Sequence, residues 1–244
     1  MPEGPSIVLA IEQVMQFTGS KIISVSGNST IDQSRLLNKK IIGFKSWGKH
    51  LLICFNDFTL RVHFLLFGSY TVNEAKANSR VRLHLGFKKG EINFYASSLK
   101  YLEGDLDTFY DWSADVMSDN WDQKKAKAKL KLIPDRLICD VLLDQDIFSG
   151  VGNIIKNEVL YRVRLHPESK VGKIPSPKVK KVLEESRIYS FQFLEWKRNY
   201  VLKKNWLAHT KKICLRCNLP IIKKNTGMRK RRSFFCVNCQ KLYV

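Results

Sequence analysis

The last fifth of the sequence lacks acidic residues altogether. From Trp196 to Val244 there are 14 lysines and arginines and no aspartate or glutamate. By contrast, the stretch from Gly104 to Asp122 carries six aspartates and no lysine or arginine. Together with a net charge of +20, this polarised distribution predicts one binding face for a polyanion, most simply a nucleic acid.

Long apolar runs are also missing, since no run approaches the roughly 20 residues that cross a membrane. The N-terminus has no basic segment followed by an apolar stretch, so no secretory signal is visible. A protein attached to a membrane surface by its basic C-terminus would need an amphipathic anchor, and none is present. We therefore expect an intracellular monomer without a membrane partner, in the cytoplasm or nucleoid, or in the nucleus if the source is eukaryotic.

Cysteine is scarce outside two pairs. Of six cysteines, Cys54 and Cys139 lie in apolar runs and are predicted to be buried thiols. The other four form two C-x2-C pairs 18 residues apart, namely Cys214, Cys217, Cys236 and Cys239. Without a secretory signal, disulfides explain them poorly. The spacing is typical of a zinc ribbon, in which four thiolates hold one structural Zn²⁺.

The N-terminal Met1-Pro2-Glu3-Gly4-Pro5 is a candidate catalytic segment. Trimming of Met1 would expose the secondary amine of Pro2. Because an α-amino group titrates near pH ~8, part of it is nucleophilic at neutral pH and can form an iminium with a carbonyl-level carbon. Glu3 beside it could act as general acid and base. The alternative is a disordered terminus, as in most proteins.

Hydrophobic periodicity divides the chain into a β-rich and a helical part. A helix is predicted over 6–17, followed by six short β-like runs separated by turn signals between residues 21 and 97, which favours an antiparallel sandwich or barrel. The acidic stretch follows, and then helices are predicted over 121–131, from 134, over 154–161 and over 178–206. We predict an α+β multidomain protein with domains at 1–112, 113–209 and 210–244.

Two segments of the second half have the composition of phosphate-binding sites. Gly150 and Gly152 lie between two predicted helices, where backbone N–H groups and a helix N-terminus can approach an anion; an ordinary interhelical loop is the alternative. Between the cysteine pairs we predict two strands around a turn at 224–227. The second strand carries Arg229, Lys230, Arg231 and Arg232, which suit phosphate binding better than a solvated basic edge.

These segments together resemble the formamidopyrimidine-DNA glycosylase and endonuclease VIII family, nearer its endonuclease VIII-like branch. Each motif alone is weak, whereas their order and spacing along nearly the whole chain are specific. The motifs are the Met1–Pro5 start, Trp47-Gly48-Lys49-His50, Gly150-Val151-Gly152-Asn153-Ile154, Arg231 five residues before Cys236, and Cys239-Gln240.

The resemblance implies a fold and an activity. The fold would be an N-terminal antiparallel β-sandwich with a leading helix, a helix-two-turns-helix domain and a C-terminal zinc ribbon. The activity would be that of a bifunctional DNA glycosylase and AP lyase of base excision repair, which removes oxidised bases and nicks the strand by β,δ-elimination. Its partner would be damaged DNA, duplex or single-stranded.

Residue roles follow from the resemblance alone. Pro2 would attack C1′ and form the Schiff base, Glu3 would be the general acid and base, and Lys49 would contact phosphate and assist β-elimination. Asn153 and Arg231 would clamp phosphates, and Arg231 also has the position assigned to δ-elimination. Further DNA contacts are expected from Lys156, Arg229 and Arg232.

Leu65, Leu66 and Phe67 match the family's loop that fills the space left by an extruded base. The alternative is that they belong to an ordinary buried strand. The sequence departs from the family at Ser6, where glutamate is common, and at Leu65, where well-known endonuclease VIII proteins have a polar residue. Asp111 lies near a DNA-contacting arginine of those relatives. These changes put the preferred damaged base in doubt more than the lyase chemistry.

A non-catalytic zinc-ribbon protein that binds DNA or RNA is the competing hypothesis, but binding alone does not need Pro2, Glu3 and Lys49.

Overall fold

A computed structural model describes residues 2–244 of the chain. The chain separates into two compact units, unit 1 from Met1 to Tyr110 and unit 2 from Asp111 to Val244. The state of Met1, on which a free Pro2 amine depends, lies outside the described residues. Each unit has its own core of buried apolar side chains.

Unit 1 is one helix on an antiparallel sheet. The helix is α1 (Gly4–Val14), continued by a short 3-10 turn (Met15–Phe17). The sheet has the strand order β1-β5-β6-β4-β3-β2, with every neighbouring pair antiparallel. The strands are β1 (Ile22–Ser26), β2 (Gly43–Trp47), β3 (His50–Cys54), β4 (Phe58–Val72), β5 (Val81–Phe87) and β6 (Gly90–Glu103). All six correspond to the β-like runs of the sequence.

The core of unit 1 follows from two periodicities. Ile7, Ala10 and Val14 recur at helical spacing on one face of α1 and are fully buried. Leu60 and Val62 alternate along β4 on the same core and are also fully buried. The apolar face of α1 therefore covers one face of the sheet and fixes the position of the N-terminus relative to β2 and β3.

Unit 2 is helical and ends in a two-stranded hairpin. The helices are α2 (Gln123–Lys131), α3 (Ile138–Val141), α4 (Asn153–Arg162) and α5 (Ser176–Arg198), and the strands are β7 (Ile222–Thr226) and β8 (Arg231–Phe235). Asp122 caps α2 by accepting hydrogen bonds from the backbone N–H groups of Lys124 and Lys125 at 2.8 and 3.1 Å.

Three sequence-based boundaries in unit 2 were wrong. The helix predicted from residue 134 is the single turn α3, and α5 ends at Arg198 rather than near 206. The hairpin turn lies at 227–230 and not at 224–227, because Lys224 and Asn225 pair with Ser233 and Arg232 across the two strands. Cross-strand pairing thus overrode the turn propensity of the Asn-Thr-Gly sequence.

The predicted fold class is confirmed: an antiparallel sheet unit with a leading helix, a helical region, and a C-terminal cysteine ribbon. The division of unit 2 into two domains at 209 stays a prediction, since 111–244 forms one compact unit. Among residues 2–244, none of the helices combines the length and the apolar character that a membrane span requires.

Candidate nucleic-acid interface and metal centre

The N-terminal segment enters directly into α1. Pro2 is half-buried, and Glu3 is the residue that precedes the helix, with only 1% of its surface exposed. The backbone carbonyl of Glu3 accepts the N–H of Ser6 at 2.8 Å, while its side chain does not cap the helix. A buried carboxylate costs free energy unless polar partners compensate. Glu3 follows Pro2 directly, so the predicted general acid and base and the predicted nucleophile are neighbours in the chain.

Lys49 lies in the two-residue turn Gly48-Lys49 that joins β2 to β3. The side chain is half-buried. Helix α1, which begins directly after Glu3, packs against both β2 and β3. Three of the four predicted catalytic residues, Pro2, Glu3 and Lys49, are therefore carried by packed elements of unit 1.

Two histidines lie next to this turn and are uncharged at neutral pH. His50 and His63 face each other across β3 and β4, with ring centroids 5.3 Å apart. Burial, with the nearby charge of Arg61, lowers the pKa of His50 to about 3, and burial also lowers the pKa of His63. His50 Nδ1 lies 3.2 Å from the hydroxyl of Tyr110. Since neither imidazole carries charge, the cationic charge here comes from Lys49 and Arg61.

Leu65, Leu66 and Phe67 form an exposed apolar bulge. They are 49%, 54% and 85% exposed, so the buried-strand alternative is wrong for them. The pairing of β4 with β6 breaks between Phe64 and Ser69, where four residues of β4 stand opposite Ala96 alone. A Cβ atom on Gly68 would lie 2.7 Å from the backbone N of Leu65, so the bulge closes tightly on itself. A compact apolar projection of this kind has the shape of a wedge.

The loop between α3 and α4 has ordered polar contacts. Gln145 donates to the carbonyls of Leu143 and Val151 at 3.0 and 3.2 Å, and its own carbonyl accepts the N–H of Gly150 at 3.2 Å. Gly152 precedes α4, and Asn153 is the first residue of the helix. The amide nitrogen of Asn153 donates to the carbonyl of Arg232 at 3.0 Å. The two predicted phosphate contacts, Asn153 and the β8 arginines, are thus adjacent in unit 2.

The three arginines of the hairpin differ in their surroundings. Arg229 donates to the carbonyl of Leu143 at 2.9 Å, whereas Arg232 is exposed. Arg231 is half-buried at the start of β8. Within residues 2–244 its guanidinium has no hydrogen-bonding partner, which leaves its donors available to a phosphate.

Lys156 is placed differently from the prediction. Its side chain has no exposed surface, and the ammonium donates to the hydroxyl of Ser233 at 2.9 Å and to the carbonyl of Arg232 at 3.3 Å. This burial argues against the predicted direct contact with DNA. Asp111 also has a local role, since it accepts the N–H of Ser113 at 3.1 Å and the ammonium of Lys129 at 2.9 Å.

The four paired cysteines come together at one point of unit 2. Their sulfur atoms all lie within 4.8 Å of one another, with 3.9 Å between Cys214 and Cys239 and 3.5 Å between Cys217 and Cys236. A tetrahedral site with Zn–S bonds of about 2.3 Å requires sulfur separations of about 3.8 Å. Gln240 orders the second pair by accepting the N–H of Cys236 at 2.9 Å. The cluster can bind a metal ion.

Two family models match the chain. Residues 1–97 match the formamidopyrimidine-DNA glycosylase N-terminal domain, and residues 113–188 match the formamidopyrimidine-DNA glycosylase H2TH domain. This chain belongs to the formamidopyrimidine-DNA glycosylase and endonuclease VIII family. The H2TH match includes the loop between α3 and α4.

Curated relatives support the endonuclease VIII-like branch of this family. Endonuclease 8-like 3 of Xenopus laevis is 30% identical over 244 residues, which cover 95% of this chain and 39% of that protein. Endonuclease 8 2 of Mycobacterium tuberculosis is 27% identical over 80% of this chain and 82% of its own length. The chain thus spans about two fifths of the Xenopus relative.

Solved structures show the same fold. The formamidopyrimidine-DNA glycosylase of Lactococcus lactis, solved non-covalently bound to DNA containing an AP site, superposes with a TM-score of 0.87 at 21% identity. The alignment covers 98% of this chain and 99% of that one. A viral DNA glycosylase gives a TM-score of 0.85 at 20% identity.

Sequence reasoning missed the buried carboxylates of unit 2 that hold the hairpin turn and the 207–209 segment. Glu158 has no exposed surface and accepts the backbone N–H groups of Leu207, Ala208 and His209 at 2.7–2.9 Å. Asp140 is 4% exposed and accepts the N–H groups of Met228 and Arg229. The available signal was a charged residue at an otherwise apolar position of a short helix.

Proposed function

We propose that this chain is a bifunctional DNA glycosylase and AP lyase. The observation that carries the proposal is the Pro2-Glu3 start of a chain that belongs to this family, with Glu3 buried at the head of α1. Neither a DNA-binding module nor a structural protein needs a terminal secondary amine beside a buried carboxylate.

The proposed reaction begins at the sugar. The unprotonated amine of Pro2 attacks C1′ of a damaged nucleotide, and the bond from C1′ to the base breaks as the base leaves with a proton, for which Glu3 is the proposed donor. The amine gives up its own proton, and the C1′–O4′ bond then breaks as O4′ takes a proton, for which Glu3 is again the proposed donor. This opens the sugar ring and leaves an iminium between Pro2 and C1′, which acidifies the C2′ hydrogen. Loss of that proton and of the 3′ phosphate is β-elimination, and subsequent loss of the C4′ proton and of the 5′ phosphate is δ-elimination.

Binding of the strand is assigned to cationic and amide groups of both units. Lys49 in unit 1, and Asn153, Arg229, Arg231 and Arg232 in unit 2, are the proposed phosphate contacts. The target base must leave the stack, which costs a few kcal/mol. The exposed bulge of Leu65, Leu66 and Phe67 is the proposed wedge that offsets part of this cost.

The cysteine cluster is the proposed site of one structural zinc ion. Four thiolates leave no open position for substrate, so the ion would support folding and take no part in the reaction. Held by this cluster, the β7–β8 hairpin would present its arginines as a rigid pair of strands.

Borohydride trapping on an abasic oligonucleotide tests the amine. The mature protein should give a covalent adduct, and a form that retains Met1 should give none, because its secondary amine is then an amide. Lys49→Ala should keep the fold and bind DNA more weakly, while Lys88→Ala, which removes an exposed lysine from the β5–β6 turn, should behave like the parent. Adduct formation by the Met1-retaining form would overturn the role of Pro2.

Glu3→Gln separates the two activities. The variant should lose base removal by a factor on the order of 10²–10⁴ and still cleave a preformed abasic site. Oxidised pyrimidines, oxidised purines and abasic sites, each in duplex and single strands, form the substrate panel. Binding without any cleavage or trapping across that panel would support the non-catalytic binding protein instead.

A further inference from the structure

Asp140 places a buried carboxylate against the turn of the basic hairpin. Its Oδ2 accepts the N–H of Met228 at 2.8 Å, and its Oδ1 accepts the N–H of Arg229 at 3.2 Å. The residue is 4% exposed, so water competes little for these bonds. Charge-assisted bonds of this kind are about twice as strong as neutral ones.

The turn is shaped to fit the carboxylate. Gly227 has a φ of +70°, a conformation that side chains other than glycine rarely adopt. A Cβ atom at this position would lie 2.4 Å from both carboxylate oxygens of Asp140. The backbone of the turn and the carboxylate are therefore in direct contact, and the turn cannot move toward α3.

A second anchor holds the hairpin one residue beyond Arg231. The carbonyl of Arg232 accepts from the amide of Asn153 at 3.0 Å and from the amide of Asn157 at 3.3 Å. Arg231 therefore stands between an anchor at Met228 and Arg229 and another at Arg232. Its own guanidinium has no hydrogen-bonding partner within the described residues, so no hydrogen bond of the side chain competes with the backbone on either side in setting its direction.

We propose that Asp140 is a positioning residue for Arg231. By fixing the 227–230 turn, its carboxylate sets the direction in which the Arg231 guanidinium reaches a phosphate. This inference rests on the proposed function of Arg231 in holding the strand for δ-elimination. A negative charge suits the position better than a neutral group, because both of its oxygens accept and four cations follow in the chain.

Product analysis on a preformed abasic oligonucleotide tests the proposal. Asp140→Ala should lower the ratio of δ- to β-elimination product by a factor on the order of 10–100, while the trapped adduct forms at the parent level. Asp140→Asn keeps one acceptor oxygen, so its product ratio should lie between those of the parent and of Asp140→Ala. A general loss of structure would not give this graded series. The asparagine variant also serves if the alanine variant loses its metal.

Asp122→Ala is the matched control. Asp122 also accepts two successive backbone N–H groups in unit 2 but caps α2 and does not touch the hairpin. It should leave the product ratio unchanged. A parent-like ratio in Asp140→Ala with metal retained, or an equal shift in Asp122→Ala, would overturn the positioning role.

Salt dependence of DNA binding gives a readout that needs no turnover. Loss of one phosphate contact lowers the slope of log K against log salt by about one. Asp140→Ala and Arg231→Ala should each do so, and the double variant should lose no more than Arg231→Ala alone. If the decreases in slope of the two single variants added up in the double variant, Asp140 would not act through Arg231. Absence of trapping by the parent protein would instead overturn the proposed function and leave this binding result to stand by itself.

Discussion

The two units hold their candidate DNA-contacting hairpins by different means. The β2–β3 hairpin, which carries Lys49, is part of a six-stranded sheet, and Leu51 and Ile53 of β3 lie in its apolar core. The β7–β8 hairpin has only two strands and a small apolar cluster. It is held by the cysteines and by the buried polar groups of α3 and α4. A small element without a core of its own needs such staples.

This difference teaches where each hairpin is vulnerable. Loss of apolar volume should weaken the first, since close-packed cores respond to every missing methylene. Loss of a single polar or metal-binding group should weaken the second, because a buried donor or acceptor left unpaired costs its full desolvation penalty.

The largest expected effect is that of Cys214→Ser. Structural zinc sites contribute on the order of 10 kcal/mol to folding, so the variant should lose metal and bind DNA more weakly, while unit 1 keeps its sheet. Metal content by elemental analysis and binding by titration measure this. Cys54→Ser, in β3 of unit 1, is the control and should retain metal. Unchanged metal content in Cys214→Ser would contradict the ribbon.

Leu60→Ala should break the first hairpin's support. Leu60 has no exposed surface and packs in the core beneath α1, so the substitution should lower the free energy of unfolding by about 2–5 kcal/mol. Denaturant titration gives the value. Ile23→Ala, at a side chain 55% exposed, should change it by less than about 0.5 kcal/mol. Equal effects of the two variants would show that buried apolar volume does not decide the stability of unit 1.

Glu158→Gln should weaken the second hairpin's support without changing side-chain volume. The amide oxygen can still accept, but the NH₂ group cannot accept the N–H of Leu207 that the second carboxylate oxygen now accepts, so the free energy of unfolding should fall by about 1–3 kcal/mol. Metal affinity should fall with it, because that segment leads to Cys214. Glu184→Gln, on the more exposed surface of α5, is the control. A parent-like melting curve for Glu158→Gln would refute the polar support.

The smallest expected effect is the pH dependence of stability that comes from one buried histidine in each unit. Burial lowers the pKa of His50 to about 3 and that of His209 to about 4. Below the ordinary pKa of 6.5 the unfolded chain binds protons that the folded chain does not, so stability falls as the pH drops from about 6.5 toward these values. Both imidazoles should stay neutral at pH 5.5 by NMR titration. His50→Gln should lose less stability than the parent between pH 7 and 5, and an ordinary pKa for either ring would contradict its burial.

Much of unit 1 was readable from the sequence because its signals are local. The six β-like runs became the six strands, and the apolar spacing that includes Ile7, Ile11 and Val14 predicted α1, whose apolar residues pack in the core of unit 1. The CxxC pairs likewise predicted their own cluster, since ligand spacing in a ribbon is set by short turns. The Met1–Pro5 start and the Gly150–Gly152 turn predicted the family, which both domain matches confirmed.

The sequence could not predict contacts between residues that lie far apart in the chain. Lys156 was expected from the sequence to contact DNA, yet its side chain is fully buried. The turn of the last hairpin moved three residues because strand register was decided by pairing and not by propensity. The sequence alone determined the elements and the chemistry available at the N-terminus and the cysteines. The tertiary structure decided that Asp140 and Lys156 hold the basic hairpin and that Glu158 holds the 207–209 segment, because burial and hydrogen bonding between distant residues leave no local pattern in the chain.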